Sequence, residues 1–328
     1  MTDTNKVSVI IPNYNHAVFL KQRIDSILNQ TYQDFEVIIL DDSSTDNSVE
    51  IIESYRNHPK VSQIVINDQN GGSPFLQWQK GIQLAKGEWI WIAESDDWCE
   101  PELLEELLKL VNDNTGIAFC QSIAVNQNGK KVWQSRWPSE HEEIEGKKFI
   151  SKYLLWGNYI VNASMSIFRK MVYEQISNKF IHFKVIGDWM FWIELSTFCN
   201  VAVSNKQLNY FRNHECNTSG LAYTTGLVYI EFLSLVEKLK KDKLITAQEE
   251  LEMLKHQFYE FLNDKRVLSE RYRQVYKQFQ FKLGVKFFLF HCKNWIVKKV
   301  KSPLYRRMNW NQRKFEHFTR FPDSDNFS

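Results

Sequence analysis

Short apolar runs alternate with helical patterns over the first 115 residues of the chain. The runs VSVII (7–11), EVIIL (36–40), VSQIVI (61–66) and EWIWIA (88–93) have the length and composition of buried strands. Between them, apolar residues recur at helical spacing, as in HAVFLKQRIDSILNQ. This alternation predicts right-handed βαβ units, and therefore an α/β fold with a mostly parallel sheet flanked by helices.

The pattern changes twice further along the chain. Residues 116–224 combine a strand-like GIAFCQSIAV with a helical FISKYLLW, and we expect them to complete the first domain. From residue 225 onward the pattern is helical. The sequence thus predicts one domain over residues 1–224, with halves at about 7–115 and 116–224, followed by a helical basic region over 225–328.

The net charge of +2 hides a basic C-terminal region. Residues 265–320 contain sixteen lysines and arginines against two glutamates, and aromatic residues lie between them. One interpretation is an interfacial helix that meets anionic lipid. The other is a helical appendage that packs its apolar face on the first domain. No nucleic-acid-binding motif accompanies the charge, so we expect no nucleic acid partner.

Cysteine usage and hydropathy indicate the compartment. Five cysteines show no CxxC pair and no clustering with histidine, which argues against a zinc site or a disulfide framework and favours the cytoplasm. The polar start MTDTNK does not resemble a signal peptide, and no run of 18 apolar residues is present. We expect a cytoplasmic protein, with peripheral association on the cytoplasmic face of the membrane left open by the basic region.

Three polar clusters each follow a predicted strand directly. They are PNYN (12–15), DDSSTD (41–46) and ESDD (94–97). Open α/β sheets bind ligands at the carboxyl ends of their parallel strands. The sequence therefore predicts that all three clusters converge on one crevice.

The clusters allow specific chemistry as well as simpler structural roles. Carboxylates as crowded as those of ESDD suit Mg²⁺ or Mn²⁺ with phosphate oxygens, although they would also serve to cap the following helix. Asp41 and Asp42 stand at a strand end, where a carboxylate accepts from a base or a ribose hydroxyl, while Asp46 or Asn47 suits helix capping. Tyr14 offers a surface for a base, although a Pro-Asn turn would look the same without a ligand.

Motifs that are missing narrow the enzyme class. The sequence contains no G-x-G-x-x-G after its first strand and no G-x-x-x-x-G-K-[ST], which disfavours dinucleotide and P-loop enzymes. A sugar-phosphate nucleotidyltransferase would need a glycine-rich loop where this chain has PNYNHA.

Taken in order, VSVIIPNYNHAVFLKQRIDSILNQTYQDFEVIILDDSSTDNS, NDQNGG and AKGEWIWIAESDDW resemble the nucleotide-binding half of the family 2 glycosyltransferases. The resemblance is strong over residues 7–115, weaker over 116–220, and does not cover the chain beyond 225. It implies a GT-A fold and an inverting enzyme that moves a sugar from a nucleotide-diphospho-sugar to an acceptor hydroxyl. Surface polysaccharide or glycolipid assembly is the implied role, with a saccharide or a lipid-linked molecule as acceptor.

The resemblance also implies roles for individual residues. Asp97, with Asp96, would bind the Mn²⁺ or Mg²⁺ that bridges the donor diphosphate. Glu94 departs from the family, because aspartate is usual there, and SPFLQWQKG stands where many members carry an Ala-Arg-Asn segment. The residues implied in donor binding are Pro12, Tyr14, Asp41, Asn70, Gly72, Asp96, Arg212 and His214.

The implied catalytic base is Asp188 in IGDWMFWIEL, where the family commonly has Glu-Asp and this chain has Gly187 before the aspartate. A helix N-cap is the structural alternative for Asp188. Nearby aromatic residues would either stack on acceptor sugars or belong to the core; they are Trp156, Tyr159, Trp189 and Trp192. Two other functions stay open: a sugar-phosphate nucleotidyltransferase, and a non-catalytic sugar-nucleotide-binding module suggested by Glu94 and Gly187.

Overall fold

Among the residues that the structure describes, a mixed sheet of eleven strands forms the centre of the fold. The structure is a computed structural model that describes residues 7–213, 218–284 and 318–320. The strands are β1 (Val7–Asn13), β2 (Phe35–Asp41), β3 (Val61–Ile66), β4 (Trp89–Ile92), β5 (Trp98–Cys99), β6 (Thr115–Asn126), β7 (Lys131–Ser135), β8 (His141–Ile144), β9 (Ser166–Arg169), β10 (Asn200–Asn213) and β11 (Phe318–Arg320).

Helices connect the strands and continue beyond the last long strand. They are α1 (Ala17–Leu28), α2 (Ser48–Ser54), α3 (Pro74–Leu84), α4 (Leu103–Lys109), α5 (Gly146–Phe149), α6 (Lys170–Tyr173), α7 (Gly187–Ser196), α8 (Thr218–Thr224), α9 (Leu227–Lys241), α10 (Ala247–Asn263) and α11 (Ser269–Leu283). A π-helical turn at Ile150–Leu154 follows α5, and short 3₁₀ turns lie at Ala163–Met165 and Lys179–His182. The segment FISKYLLW is therefore helical over most of its length, as predicted.

The strand order confirms the predicted α/β fold. It reads β11-β7-β6-β9-β4-β1-β2-β3, and β10 pairs with β5, β6 and β8. The strands β3, β2, β1 and β4 are mutually parallel, in the order expected for βαβ units. Beyond β4 the sheet is mixed, because β9 inserts antiparallel between β4 and β6.

The parallel strands are apolar because both of their faces are covered. Every residue of β1, β2 and β4 is buried, and α1 adds its own buried stripe of Leu20, Ile24 and Ile27. Strands buried on both faces read as continuous hydrophobic runs rather than as an alternation. In the β1–β2 register, Asn13 lies opposite Asp41.

Proline suits the first position of a helix, but Pro101 lies outside α4. Pro101 and Glu102 form a turn, and α4 starts at Leu103. The Pro101 carbonyl accepts a hydrogen bond from the Thr31 amide at 2.8 Å, which engages it outside the helix. The Pro101 carbonyl thus bonds to a distant residue instead of opening the helix.

The contacts divide the chain into two compact units. The first comprises Met1–Leu154, Asn158–Asn213 and His317–Ser324, and the second comprises Leu155–Gly157, His214–Glu316 and Asp325–Ser328. The chain thus passes from one unit to the next after Asn213, whereas the sequence placed that boundary after residue 224.

The described part of the second unit consists of helices and short connecting turns. Helices α9, α10 and α11 confirm the helical prediction over 227–283, and they enclose the fully buried rings of Phe258, Phe261 and Phe279. Residues 285–317 of the basic region lie outside the described residues. Within the stretches that the structure does describe, no helix combines the length and the apolarity needed to cross a bilayer.

Candidate active site

The ends of β1 and β2 are joined through the side chain of Asp41. Its Oδ2 accepts hydrogen bonds from Asn13 Nδ2 and Ser44 Oγ, both at 2.7 Å, and its Oδ1 accepts from the Ser44 amide at 2.8 Å. Asp41 is fully buried, whereas Tyr14 in the neighbouring turn is 46% exposed. In this arrangement the Asp41 carboxylate holds the turn in shape, and Tyr14 presents a free ring face at the edge of the sheet.

The PNYN and DDSSTD turns bind each other. Asn15 and Ser43 both have positive φ, at 56° and 64°. The Asn15 amide donates to Ser44 Oγ at 2.9 Å, and Asn15 Oδ1 accepts from the Thr45 amide at 2.7 Å. Backbone conformations this uncommon persist where the surroundings hold them, and they cluster at ligand sites.

Asp42, which was not among the implied donor-binding residues, is the centre of a second network. Its Oδ1 accepts from Asn67 Nδ2 and Gln77 Nε2, both at 2.7 Å, and from the Gly71 amide at 3.0 Å. These bonds tie the loop after β3 and the helix α3 to the end of β2. The only sequence signal was the doubled aspartate, which does not say which acid has which role.

Asn70 and Gly72, two of the predicted donor-binding residues, lie in the loop that Asp42 organises. Asn70 Nδ2 donates to the Asp42 carbonyl at 3.1 Å, and Asn70 Oδ1 accepts from the Gly72 amide at 2.7 Å. The φ of Gly72 is 71°, which glycine adopts without steric cost. The structure therefore brings this loop to the same edge of the sheet as Asp41.

The ESDD cluster leaves β4 at that edge too, as the strand order requires. His16 Nδ1 lies 2.8 Å from Ser95 Oγ, which links the turn after β1 to the turn after β4. The three polar clusters therefore converge, as the sequence predicted.

Ser164 connects two of the acids in this turn, and nothing in the sequence indicated it. Its Oγ accepts from the Glu94 amide at 3.0 Å and donates to Asp97 Oδ2 at 2.7 Å. Asp97 Oδ1 accepts from the Arg212 amide at 3.1 Å, and Glu94 Oε1 accepts from Trp78 Nε1 at 2.9 Å. The bonds to Asp97 Oδ2, Asp97 Oδ1 and Glu94 Oε1 each fix the direction of a carboxylate.

The clustering of acids changes their proton affinity. Loss of hydration, reinforced by the charges of Asp96 and Asp97, raises the pKa of Glu94 to about 8. Burial and the charge of Asp96 also raise the pKa of Asp97. The nearby guanidinium of Arg23 opposes both shifts; it is fully buried, 5.1 Å from the centroid of the Trp91 ring.

Asp96 and Asp97 differ in what they offer to a metal ion. Asp97 is fully buried and both of its oxygens accept protein hydrogen bonds, whereas Asp96 is partly exposed. No set of three or more histidine, cysteine or acidic side chains is arranged around a common metal position in the part of the chain that the structure describes. Magnesium in phosphate-binding sites takes only one or two carboxylates, so a set of acidic oxygens with raised proton affinity still fits a hard divalent cation.

Arg212 lies beneath the acid turn. Only 6% of the residue is exposed, and its guanidinium carbon lies 4.3 Å from the centroid of the Phe19 ring and 4.6 Å from that of Trp98. Its Nε donates to the Asp96 carbonyl at 2.9 Å. Burial lowers the pKa of Arg212, and the charges of Asp96 and Asp97 oppose this shift. His214, predicted beside it, lies outside the described residues.

Asp188 stands in the first turn of α7. Its Oδ1 accepts from the Trp189 amide and its Oδ2 from Asn158 Nδ2, both at 2.7 Å. Helix α7 packs on α3 through Phe191 and Trp78, whose ring centroids lie 5.6 Å apart. Because Trp78 also binds Glu94, the helix of Asp188 is connected to the acid turn through two side chains.

Three of the four aromatic residues near Asp188 are buried. Trp192 is fully enclosed and Trp189 donates its indole N–H to the Leu154 carbonyl at 2.7 Å, while the Tyr159 ring lies 5.1 Å from that of Tyr153. These positions favour the core interpretation for all three. Trp156 belongs to the second compact unit.

The comparison with family models matches residues 8–177 to "Glycosyl transferase family 2", which is more than half of the 328-residue chain. The chain belongs to this family. The resemblance noted in the sequence is therefore confirmed.

Known members of the family extend the comparison. The chain is 36% identical over 107 residues to the glycosyltransferase GlyG of Streptococcus pneumoniae serotype 4, which covers 33% of this chain and 35% of GlyG. It is 30% identical over 196 residues to the poly(ribitol-phosphate) β-N-acetylglucosaminyltransferase TarP of Staphylococcus aureus, covering 58% of this chain and 57% of TarP. The chain thus spans less than two thirds of either relative.

The fold is also similar to a solved structure. The crystal structure of S. aureus TarS residues 1–349 in complex with UDP-GlcNAc superimposes with a TM-score of 0.56 at 22% identity, covering 85% of this chain and 76% of that chain. At this level of identity the likeness establishes the GT-A fold.

Proposed function

We propose that this protein is an inverting glycosyltransferase that moves a sugar from a nucleotide-diphospho-sugar to an acceptor hydroxyl. The observation that carries the proposal is the convergence of Tyr14, the Asp42 loop and the ESDD turn at the carboxyl edge of parallel strands, in a chain of glycosyl transferase family 2. This is where open α/β sheets bind their ligands.

The acid turn supplies the metal site in this proposal. Asp96 is the carboxylate that faces the ligand, and its accessibility favours it over Asp97 as the direct contact. The metal-binding role predicted for Asp97 stays a prediction. When bound, Mn²⁺ or Mg²⁺ would neutralise charge that develops on the leaving nucleoside diphosphate.

Asp188 is the general base. Its carboxylate lies at the start of a helix, with one oxygen oriented by the Trp189 amide and the other by Asn158. In this position it would take the proton of the acceptor hydroxyl as that oxygen attacks the anomeric carbon opposite the diphosphate. A single displacement of this kind inverts the configuration of the sugar.

The relatives suggest the substrates to try first. The TarS structure contains UDP-GlcNAc, and TarP is named for the transfer of N-acetylglucosamine to poly(ribitol-phosphate). We propose a uridine diphosphate sugar as donor and an acceptor of surface polysaccharide or glycolipid assembly.

A donor screen tests this function. Nucleoside diphosphates and their sugars are added with and without Mn²⁺, and thermal shift and release of nucleoside diphosphate are recorded. A family 2 transferase should be stabilised by one nucleoside diphosphate and should slowly hydrolyse the corresponding nucleotide sugar. Release of pyrophosphate from a nucleoside triphosphate would instead identify a sugar-phosphate nucleotidyltransferase, and donor binding without any turnover would favour the non-catalytic module.

Substitution of Asp188 tests the base. Asp188→Asn removes the proton acceptor while keeping the side chain's size, so kcat should fall by roughly 10²–10⁴-fold with donor affinity unchanged. The matched control is Asp113→Asn, the same change at an exposed position. Near-normal turnover by Asp188→Asn would exclude Asp188 as the base.

The metal assignment is tested by calorimetry of donor binding. Asp96→Asn should abolish the gain in affinity that Mn²⁺ confers, while the melting temperature stays close to that of the wild type, because Asp96 is partly exposed. Asp97→Asn should lower the melting temperature, because one of two buried hydrogen bonds is lost. If Asp96→Asn kept the full effect of Mn²⁺ and Asp97→Asn lost it, the original assignment to Asp97 would be restored.

Peripheral association with the cytoplasmic face of a membrane is part of the proposal. The last described helix of the second unit, α11, exposes Arg271, Arg273 and Lys277 together with Phe281, which is 81% exposed. Basic side chains beside an exposed aromatic ring suit an anionic lipid surface. Such a location would suit an enzyme whose acceptor is lipid-linked.

A further inference from the structure

Asn158 contacts the proposed base and no motif in the sequence points to it. Its Nδ2 donates to Asp188 Oδ2 at 2.7 Å across a sequence separation of 30 residues. The direction of this bond is fixed by chemistry, because an ionised carboxylate only accepts and the amide nitrogen only donates.

The loop that carries Asn158 is anchored independently of this bond. Trp189 donates its indole N–H to the Leu154 carbonyl at 2.7 Å, and the next two residues after Asn158, Tyr159 and Ile160, are buried. The backbone on both sides of Asn158 is thus held in place without help from its side chain. The Asn158 amide is therefore not needed to join the loop to α7.

The oxygen of the same side-chain amide lacks a hydrogen-bond partner among the described residues. Asn158 Oδ1 is buried and accepts no hydrogen bond from the residues that the structure describes. A buried acceptor without a protein partner destabilises the fold, so an asparagine with only a packing role would gain by replacement. Such a cost is typical of residues that are held in place by a functional requirement.

We propose that Asn158 is a positioning residue for the transfer reaction, which holds the Asp188 carboxylate in one orientation and in its ionised form. The inference rests on the proposed function, because it takes Asp188 as the base. A donor on Oδ2 keeps the carboxylate in one orientation while it receives the acceptor proton. Hydrogen bonding to the charged form also favours ionisation, so the base stays competent at lower pH.

Kinetics of two variants test the proposal. In Asn158→Ala, kcat should fall by roughly tenfold at neutral pH with the donor KM unchanged, and the acidic limb of the kcat–pH profile should move to higher pH. In Asn158→Asp the same limb should move further, because a second carboxylate would face Asp188. The substrate is the sugar nucleotide that the wild type hydrolyses fastest in the donor screen.

Trp189→Phe is the matched control. It removes a second hydrogen bond between the same loop and the same helix, but leaves the donor to Asp188 in place. If Asn158 acts only by anchoring the loop, Trp189→Phe and Asn158→Ala should alter the kcat–pH profile alike, and the proposal is wrong. If only the Asn158 variants move the acidic limb, the proposal is supported.

Carbon-13 NMR of protein labelled at the aspartate carboxyl carbons gives a readout that needs no substrate. Asp188→Asn identifies the Asp188 resonance, whose titration should move to higher pH in Asn158→Ala. An unchanged titration overturns the proposal even if kcat falls. A wild-type protein that turns over no sugar nucleotide overturns the proposed function, and this inference with it, whatever the titration shows.

Discussion

At the scale of residues, the acids of the ESDD turn face three different environments. The Glu94 carboxylate meets the Trp78 indole, Asp97 is enclosed by Ser164 and the Arg212 amide, and Asp96 is partly exposed. Crowded carboxylates repel, and here two of them are directed inward to protein donors. The bond to Trp78 gives Glu94 a structural contact that its place in the sequence did not suggest.

The raised pKa of Glu94 predicts how stability changes with pH. The folded state holds this proton up to about pH 8, whereas an unfolded glutamate releases it near 4.5. The stabilising contribution is therefore complete below the unfolded value and is lost as pH rises through the folded one. In metal-free buffer the melting temperature of the wild type should fall between pH 5 and 8, and Glu94→Gln should flatten that fall.

The control for this measurement is Glu102→Gln. Glu102 is an exposed glutamate before α4, and the same chemical change there should leave the slope of the wild type unaltered. Each kcal/mol corresponds to about 2–4 °C in a domain of this size, so the difference is measurable by scanning calorimetry. Parallel profiles for wild type and Glu94→Gln would show that this group does not take up its proton on folding.

At the scale of elements, helix α3 explains why Glu94 and Gly187 depart from the family pattern. Its segment SPFLQWQKG replaces the usual Ala-Arg-Asn, and Trp78 from that segment binds Glu94. Phe75 from the same segment fills the space beside Gly187: a Cβ there would lie 2.5 Å from Phe75 Cε2 and 2.6 Å from the Phe180 carbonyl. Glu94 and Gly187 are thus matched to α3 by packing, which weakens the argument that they mark a non-catalytic module.

Gly187→Ala should destabilise the protein by about 1–3 kcal/mol, because a methyl group would overlap both an aromatic ring and a backbone oxygen. Chemical denaturation measures the loss. Gly220→Ala is the matched control, since a Cβ at that helical position meets nothing within 4 Å and alanine favours helix. Equal stability of the two variants would mean that α7 shifts to make room.

The elements also show what the sequence determined. Strands β1 to β4 were predicted because fully buried parallel strands are continuous apolar runs, and the helices between them because their buried stripes repeat at helical spacing. The antiparallel entry of β9 between β4 and β6 was missed. Its four residues carry no sign of their direction or partner, which only the closed sheet decides.

The sequence likewise predicted some of the site residues and missed others. Polar clusters that directly follow strands were located correctly, because the carboxyl ends of parallel strands share one edge. Two residues that enter from distant segments were not found. Ser164 and Asn158 reach Asp97 and Asp188 only through the fold, and each is a common polar residue in an irregular stretch.

At the scale of the whole molecule, charge is distributed by region. Residues 265–320 carry sixteen basic and two acidic residues, whereas the rest of the chain carries 25 basic and 37 acidic residues. The described part of the basic region includes α11, where Arg271, Arg273 and Lys277 are exposed. A surface of this sign attracts anionic lipid, and salt weakens the attraction because it is electrostatic.

Liposome co-sedimentation of the full chain tests this last proposal. Binding to vesicles with phosphatidylserine should exceed binding to neutral vesicles and should fall as salt is raised. Replacing Arg271, Arg273 and Lys277 together by glutamine should weaken partitioning at least about tenfold, since each basic residue near the surface contributes about 1 kcal/mol. The control removes the same number of charges at Lys240, Lys241 and Lys243. The first two are in the last turn of α9, the third follows it, and all three are exposed. If both triple variants lose binding equally, net charge rather than α11 sets the affinity; if neither loses it, α11 is not the membrane contact.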